Sequence, residues 1–363
     1  MKILITGGAG LIGQAIAMKH INEGDEVFIY DNCSNIFNDY SKILGLNLYG
    51  IPIDEILKTK FDVISHQASS VGVGESQYNI EKYFINNITF TSNIIQAIIN
   101  SDNSPKKILH AGSMGPYGEG TYWCTKCQCQ VFFTKQRITL KLKCHCGNDV
   151  VSLHILEECQ LNPQSIYAVT KMTQEHTLRV FSQTYGIPTV SLRYFSVYGM
   201  NSNPGNPFTG VLSVIANKII NSDIIEINED GEQTRDLISA NDCAEAHYAA
   251  CNTELSGFNV INIGTGKSRS MLYIAKKMIE LLNPYKRIIC NNNIRLGDIK
   301  HSCSCCHKAH TLLKWLHKDD IDQSIPTYCD FIQKNWDKFK KDDTSLEADK
   351  ILKQYNLYVR SSI

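Results

Sequence analysis

Tyr167 and Lys171 stand four residues apart in Ser165-Ile-Tyr-Ala-Val-Thr-Lys171, a spacing that puts both side chains on one face of a helix. Free tyrosine titrates near ~10 and is a poor base at neutral pH. A cation one turn away stabilises the phenolate and moves that value toward the working range. Ser113 ends the run Leu109-His-Ala-Gly-Ser113 and can hydrogen-bond the same substrate oxygen. Such a trio can take a proton from a hydroxyl, and beside a nicotinamide that becomes hydride transfer. The start of the chain offers a place for one. Met1-Lys-Ile-Leu-Ile-Thr-Gly7-Gly-Ala-Gly10-Leu-Ile-Gly13 is an apolar strand entering a GxxGxxG turn. Gly7 allows the tight turn, Gly10 lets backbone N–H groups approach a pyrophosphate, and Gly13 lets helix and sheet pack closely. Asp31 closes a second apolar run, where a carboxylate accepts from the adenosine ribose and repels a 2′-phosphate, so NAD is expected over NADP.

The elements around these residues alternate. Strands are predicted at Ile3 to Ile5, Val27 to Tyr30, Phe61 to Ser65, Lys107 to His110 and Thr189 to Leu192. Helices are expected over Tyr83 to Asn100 and over Ile166 to Tyr185, the second ended by Gly186-Ile-Pro188. Strand and helix in turn predict an α/β fold of Rossmann type, a doubly wound parallel sheet. Residues 1–195 read as the NAD-binding domain, with a cysteine-rich insertion at 119–160. Residues 196–330 read as a smaller C-terminal substrate-binding domain interleaved with the sheet, and 331–363 as a charged C-terminal helix or tail.

Composition narrows the function. The 363 residues carry 36 basic and 36 acidic side chains, which gives no net charge to drive binding to nucleic acid or a membrane surface. The glycine turn begins at residue 7, leaving no room for a signal peptide, and no apolar run reaches the ~18 residues of a membrane span. A cytoplasmic protein is expected, whose fourteen cysteines are thiols or metal ligands rather than a disulfide framework.

Beyond the glycine turn and the YxxxK helix, further motifs occur in a specific order. They include Ser65-His-Gln-Ala-Ser69, Gly112-Ser-Met-Gly-Pro-Tyr-Gly118, Leu192-Arg-Tyr-Phe-Ser-Val-Tyr-Gly199, Gly231-Glu-Gln-Thr-Arg-Asp236, Asn262-Ile-Gly-Thr-Gly266 and Arg295-Leu-Gly-Asp298. Over residues 1 to about 316 the chain resembles the extended short-chain dehydrogenase/reductases of the nucleotide-sugar epimerase and dehydratase family. Val71-Gly-Val-Gly-Glu-Ser76 and Asn206-Pro-Phe-Thr-Gly210, with the cysteine-bearing insertion, resemble its bacterial dTDP-L-rhamnose 4-epimerase branch. The resemblance implies that Ser113, Tyr167 and Lys171 are catalytic, and that Gly7, Gly10, Gly13, Asp31, Asn87, Tyr167 and Lys171 hold NAD. It assigns Asn206, Arg235 and Arg295 to the nucleotide-sugar substrate, and implies a homodimer. The implied reaction inverts a sugar at carbon 4 through a transient 4-keto intermediate, on a dTDP-6-deoxyhexose such as dTDP-L-rhamnose. A UDP-hexose or UDP-uronate epimerase is the alternative within the class, and a non-catalytic NAD-binding scaffold the alternative outside it. Dehydratases of the family carry an Asp-Glu pair after the catalytic Ser or Thr; Met114 and Gly115 stand there and can serve as neither acid nor base. The stretch from Asp31 to Phe61 is short for the family.

Cys124-Thr-Lys-Cys127 and Cys144-His-Cys146, 16 residues apart, resemble a small zinc ribbon with one shortened knuckle. Four thiolates suit a closed, structural zinc site, and a unit with almost no core would draw its folding energy from the metal. Cys129 and His145 are alternative ligands. The denser cluster at Cys303, Cys305 and Cys306 lacks CxxC spacing and is expected to be no site.

Overall fold

The computed structural model describes residues 1–34, 45–200, 202, 210–337 and 344–361. Asn206 lies outside the described residues. Strand β1 (Lys2–Thr6) enters helix α1 (Leu11–Asn22) through the glycine turn, and β2 (Glu26–Tyr30) and β3 (Val63–His66) follow. A helical stretch then runs through Ile80–Tyr83, a π turn at Phe84–Thr89 and α2 (Phe90–Asn100). Next come β4 (Lys107–Ser113), three short strands β5 (Thr121–Cys124), β6 (Cys129–Phe132) and β7 (Val151–Ser152), helix α3 (Ile166–Tyr185), and β8 (Thr189–Tyr194). After β9 (Ser196–Tyr198) stand α4 (Val211–Asn221), β10 (Ile224–Ile227), β11 (Thr234–Ser239), α5 (Ala240–Asn252) and β12 (Phe258–Ile263). The remainder is β13 (Ser268–Ser270), α6 (Met271–Leu282), β14 (Arg287–Cys290), β15 (Asn293–Arg295), α7 (His307–Leu313), α8 (Ile321–Lys334), α9 (Thr344–Gln354) and β16 (Tyr358–Arg360).

Six strands form one parallel sheet in the order β12-β8-β4-β3-β1-β2. Every residue of β4 and β8 is buried, because helices cover both faces of the sheet. Ile3 and Ile5 point to the face packed by Ile16 and Ala17 of α1 and Ala246 and Ala250 of α5. Leu4, Ile64 and Ile108 point to the opposite face, against Ile94 and Ile98 of α2 and Leu178 and Phe181 of α3. Burying each such side chain contributes roughly 1.5–3 kcal/mol. The strand order reverses beside β1, and in such sheets ligands bind at that reversal, beyond the carboxyl ends of the strands. The glycine turn and Ser113 both stand at those ends.

Beyond β2 the described residues add a single parallel bridge, Ile29 with Asn47. The sixth strand, β12, was absent from the sequence expectations because Asn259 and Asn262 interrupt its apolar run. The expected helix over 83–100 contains the π turn, centred on buried Asn87.

A second core joins Leu212, Ile215 and Ile219 of α4 to Ile274 and Met278 of α6 and Ile325, Tyr328 and Ile332 of α8. Helix α8 runs through the expected boundary at 330, so a division there cuts a packed element. The last segment is more than a charged tail: α9 leads to β16, which pairs antiparallel with β15, Tyr358 opposite Arg295. Strands β6, β5 and β7 form a separate antiparallel sheet within residues 119–160.

Candidate active site

Helix α3 carries the sequence-predicted pair. Ser165 caps its N-terminus, accepting from the Ala168 N–H, and Gly186 ends it in the left-handed conformation at φ +70°. Ser113 is delivered by the last residue of β4. The two elements bring the Tyr167 hydroxyl to 3.4 Å from Ser113 Oγ. Burial raises the Tyr167 phenol above its ordinary value and the Ser113 bond works against that rise. The lowering by Lys171 expected from the sequence is not seen. Instead burial brings Lys171 itself down to about 7, opposed by Glu175. Among the described residues its ammonium makes no hydrogen bond, so its donors remain free for a ligand.

Sequence reasoning missed the charges behind this lysine. Glu175, two turns on from Tyr167, accepts from Arg193 Nε at 2.9 Å and from its terminal nitrogen at 2.5 Å. Arg193 also donates to the Tyr117 hydroxyl at 2.6 Å. An arginine inside the buried strand Thr189–Tyr194 was the available signal, since a buried charge must be paired.

The glycine turn fits a dinucleotide. Gly7 has φ +72°, and a Cβ there would lie 2.5 Å from Ala68 N. A Cβ on Gly13 would lie 2.1 Å from Gly7 O, so both positions are closed by protein. Gly10 differs: its Cβ would meet only Gly7 O, at 3.4 Å, leaving its outer side to a ligand. No side chain caps α1, so the first amides of that helix can receive an anion. Asp31 closes onto the turn, accepting from Ala9 N at 2.9 Å and Cys33 N at 2.7 Å, and lone pairs remain for ribose hydroxyls. Asn87 is corrected. Its amide is taken up by protein, accepting from Ser70 N at 2.7 Å and donating to Ser70 O and to Thr170 Oγ1, so it fastens the loop after β3 to α3.

Beside Ser113 and Tyr167 lies a cavity of about 320 Å³ lined by Met114, Gly115, Gln164, Arg235, Arg295 and Gly297 among others. Arg235 donates to the carbonyls of Thr234, Ile299 and Lys300, and Arg295 is paired with Asp298 through two bonds of 3.0 and 2.8 Å. Both guanidiniums are thus oriented by protein at the cavity wall. A larger cleft, about 800 Å³, opens among α1, α5 and α8 and is lined by none of the sequence-assigned residues.

In the insertion the sulfurs of Cys124, Cys127, Cys144 and Cys146 all lie within 4.8 Å of one another. Cys124 to Cys146 is 3.7 Å and Cys144 to Cys127 is 3.8 Å, the edge of a tetrahedron with metal–sulfur bonds of ~2.3 Å. The donor set fits zinc. Cys129 and His145 are outside the set, and Cys303, Cys305 and Cys306 form no metal-competent group among the described residues. That second segment is structural: Ser304 N and Oγ both donate to buried Asp236. All fourteen cysteines are free thiols.

The insertion is tied to the cavity wall by buried charge. Arg137 donates to Glu119 at 3.0 Å and to both oxygens of Glu229. Lys300, whose carbonyl accepts from Arg235, donates its backbone N–H to Glu119 and its ammonium to Glu229 and Asp230.

Comparison with known proteins agrees with this architecture. The chain belongs to the NAD dependent epimerase/dehydratase family, which matches residues 3–131 and 147–264; the interruption falls within the cysteine-rich insertion. Among its relatives is a dTDP-L-rhamnose 4-epimerase of Burkholderia thailandensis, 25% identical over 340 residues, or 89% of this chain and 93% of the relative. A UDP-glucose 4-epimerase of Lactobacillus helveticus is 27% identical over 354 residues, 90% and 96% of the two chains. The fold matches that of a UDP-glucose 4-epimerase from Thermotoga maritima solved with UDP-glucose, at TM-score 0.76, 23% identity and coverage of 93% and 100%. No helix among the described residues is long and apolar enough to cross a membrane.

Proposed function

We propose that the protein is an NAD-dependent nucleotide-sugar 4-epimerase, acting on a dTDP-6-deoxyhexose such as dTDP-L-rhamnose. The observation that carries the reaction is the Ser113–Tyr167 contact, set between the glycine turn and a cavity walled by Arg235 and Arg295. Bound NAD supplies a hydride acceptor and returns the hydride. Tyr167, as phenolate, takes the proton of the sugar 4-hydroxyl while Ser113 holds that oxygen by a hydrogen bond. Lys171, whose amine makes no hydrogen bond among the described residues, would donate to the cofactor ribose when NAD is bound, and the positive nicotinamide would favour phenolate at Tyr167. Gly7, Gly10, Gly13 and Asp31 hold the dinucleotide. Arg235 and Arg295 offer planar donors to the diphosphate, and the resemblance assigns Asn206 to the substrate as well. The 4-keto sugar then turns its other face to the cofactor and takes back the proton from Tyr167. Met114 and Gly115 at the cavity wall offer no acid or base for elimination, which favours epimerisation over dehydration.

The dTDP-sugar reading is supported by a relative 25% identical over 89% of this chain and by the motifs around Val71 and Asn206. UDP-hexose substrates are the second reading, favoured by relatives of equal identity. Four converging sulfurs support a structural zinc ribbon. Exposed Phe84, Ile85, Val180 and Tyr185 on the π turn and α3 support a homodimer through those helices, and the free thiols support a cytoplasmic setting. Tyr167→Phe is expected to lower turnover at least ~10³-fold while NAD binding by calorimetry is unchanged. Full turnover in that variant would remove the assignment.

A further inference from the structure

His20, His247 and Cys251 meet away from the active site, between α1 and α5. Both rings are fully buried. His20 Nε2 lies 3.3 Å from His247 Nδ1, and Cys251 Sγ lies 3.9 Å from the first and 3.7 Å from the second. From these three separations, the point equidistant from all three atoms lies in their own plane at about 2.1 Å from each, a metal–ligand bond length. The outer nitrogen of each ring is also engaged: His20 Nδ1 is 2.7 Å from Asp25 Oδ2, and His247 Nε2 is 2.8 Å from Ser65 Oγ. Carboxylate and hydroxyl partners of this kind fix the tautomer and orientation of ligating imidazoles. A proton shared by the two rings would explain their approach, but not the placing of the sulfur at nearly equal distance from both.

We propose that this triad is a second metal site, taking copper(I). Three ligands in one plane, with no fourth His, Cys, Asp or Glu grouped with them among the described residues, suit a trigonal ion, whereas structural zinc takes four in a tetrahedron. Thiolate and imidazole together select soft metals. Charge points the same way. A monovalent ion with one thiolate is neutral, while a divalent ion would add a positive charge in a buried place where the Asp25 carboxylate is already paired with the N-terminal ammonium and the Lys107 ammonium donates to the Cys251 carbonyl at 2.9 Å.

The test is anaerobic titration of the full-length, zinc-loaded protein with copper(I) against a chromogenic copper(I) chelator. The wild type is expected to take one equivalent more than Cys251→Ala and one more than His20→Phe, each variant retaining NAD binding. Equal uptake by wild type and variants overturns the site. X-ray absorption on wild type holding its first equivalent needs no variant: one sulfur and two nitrogens at ~2.0–2.3 Å support the site, and an all-sulfur shell overturns it by placing the copper in the cysteine knuckles.

Discussion

Replacing Arg137 by Met tests the buried link between the insertion and the cavity wall. In the wild type the guanidinium is 1% exposed, as are its two carboxylate partners. The substitution removes the bonds to Glu119 and Glu229 and fills the space with apolar atoms. Glu119 retains Tyr122 and the Lys300 N–H, and Glu229 retains the Lys300 ammonium, so neither is wholly stranded. Breaking a buried pair costs about 3–5 kcal/mol, and these remaining partners place the loss near the lower end, about 3 kcal/mol or roughly 150-fold in the folding equilibrium. Burial already pushes the Glu119 carboxyl up. Without Arg137 its folded-state value rises further above the unfolded one, so the penalty is full at neutral pH and shrinks as pH falls through the raised value. Urea unfolding followed by tryptophan fluorescence measures it, at pH 8 and pH 5, with the slope against urea unchanged. Adding Glu119→Gln and Glu229→Gln should recover most of the loss, by removing the unpaired charges. Because Lys300 also positions Arg235, KM for the nucleotide sugar should rise while NAD affinity holds. A loss under about 1 kcal/mol, or no recovery in the triple variant, would refute the argument that the charges are desolvated and mutually dependent.

Gly10→Ala should leave folding nearly intact and weaken NAD binding, whereas Gly13→Ala should destabilise the fold itself, since its Cβ would meet Gly7 O at 2.1 Å; thermal melts with and without NAD separate the two. Lys171 is held at about 7 in the fold and near ~10.4 unfolded, so between those values the unfolded chain binds more protons and NAD-free stability rises with pH. Lys171→Met should abolish that rise and stabilise the NAD-free protein by on the order of 4 kcal/mol at pH 7, read by urea unfolding at pH 7 and 9.5, while turnover is lost.

Most of the sheet was legible because its strands are short apolar runs closed by glycine or polar residues, and α3 because Ser165 and Gly186 mark both ends. Tyr167 and Lys171 were legible as a pair through their four-residue spacing, Ser113 through its place at the end of a strand, and the role proposed for all three through the resemblance. What escaped the sequence depends on contacts between distant segments. Asn87, expected to hold the cofactor, also bonds Ser70 and Thr170, 17 and 83 residues away, contacts that no local pattern shows. Arg193 within an apolar strand signals a buried partner, but only the fold shows that the partner is Glu175, and only the fold joins Arg137 to Glu119 and Glu229. The expected effect of Lys171 on Tyr167 assumed a charged lysine in water; burial lowers the lysine and raises the phenol. Strand β16 was illegible because three residues in a charged tail gain meaning only against β15.

The central claim is that hydride leaves and returns to carbon 4 within one closed site. Proton NMR of the NAD-loaded protein in D₂O, incubated separately with dTDP-, UDP- and GDP-sugars, tests it most directly. Inversion at carbon 4 of one sugar with no deuterium at that carbon is the predicted result. Solvent deuterium at carbon 4, a 4-keto-6-deoxy product, or no inversion of any sugar would contradict the account.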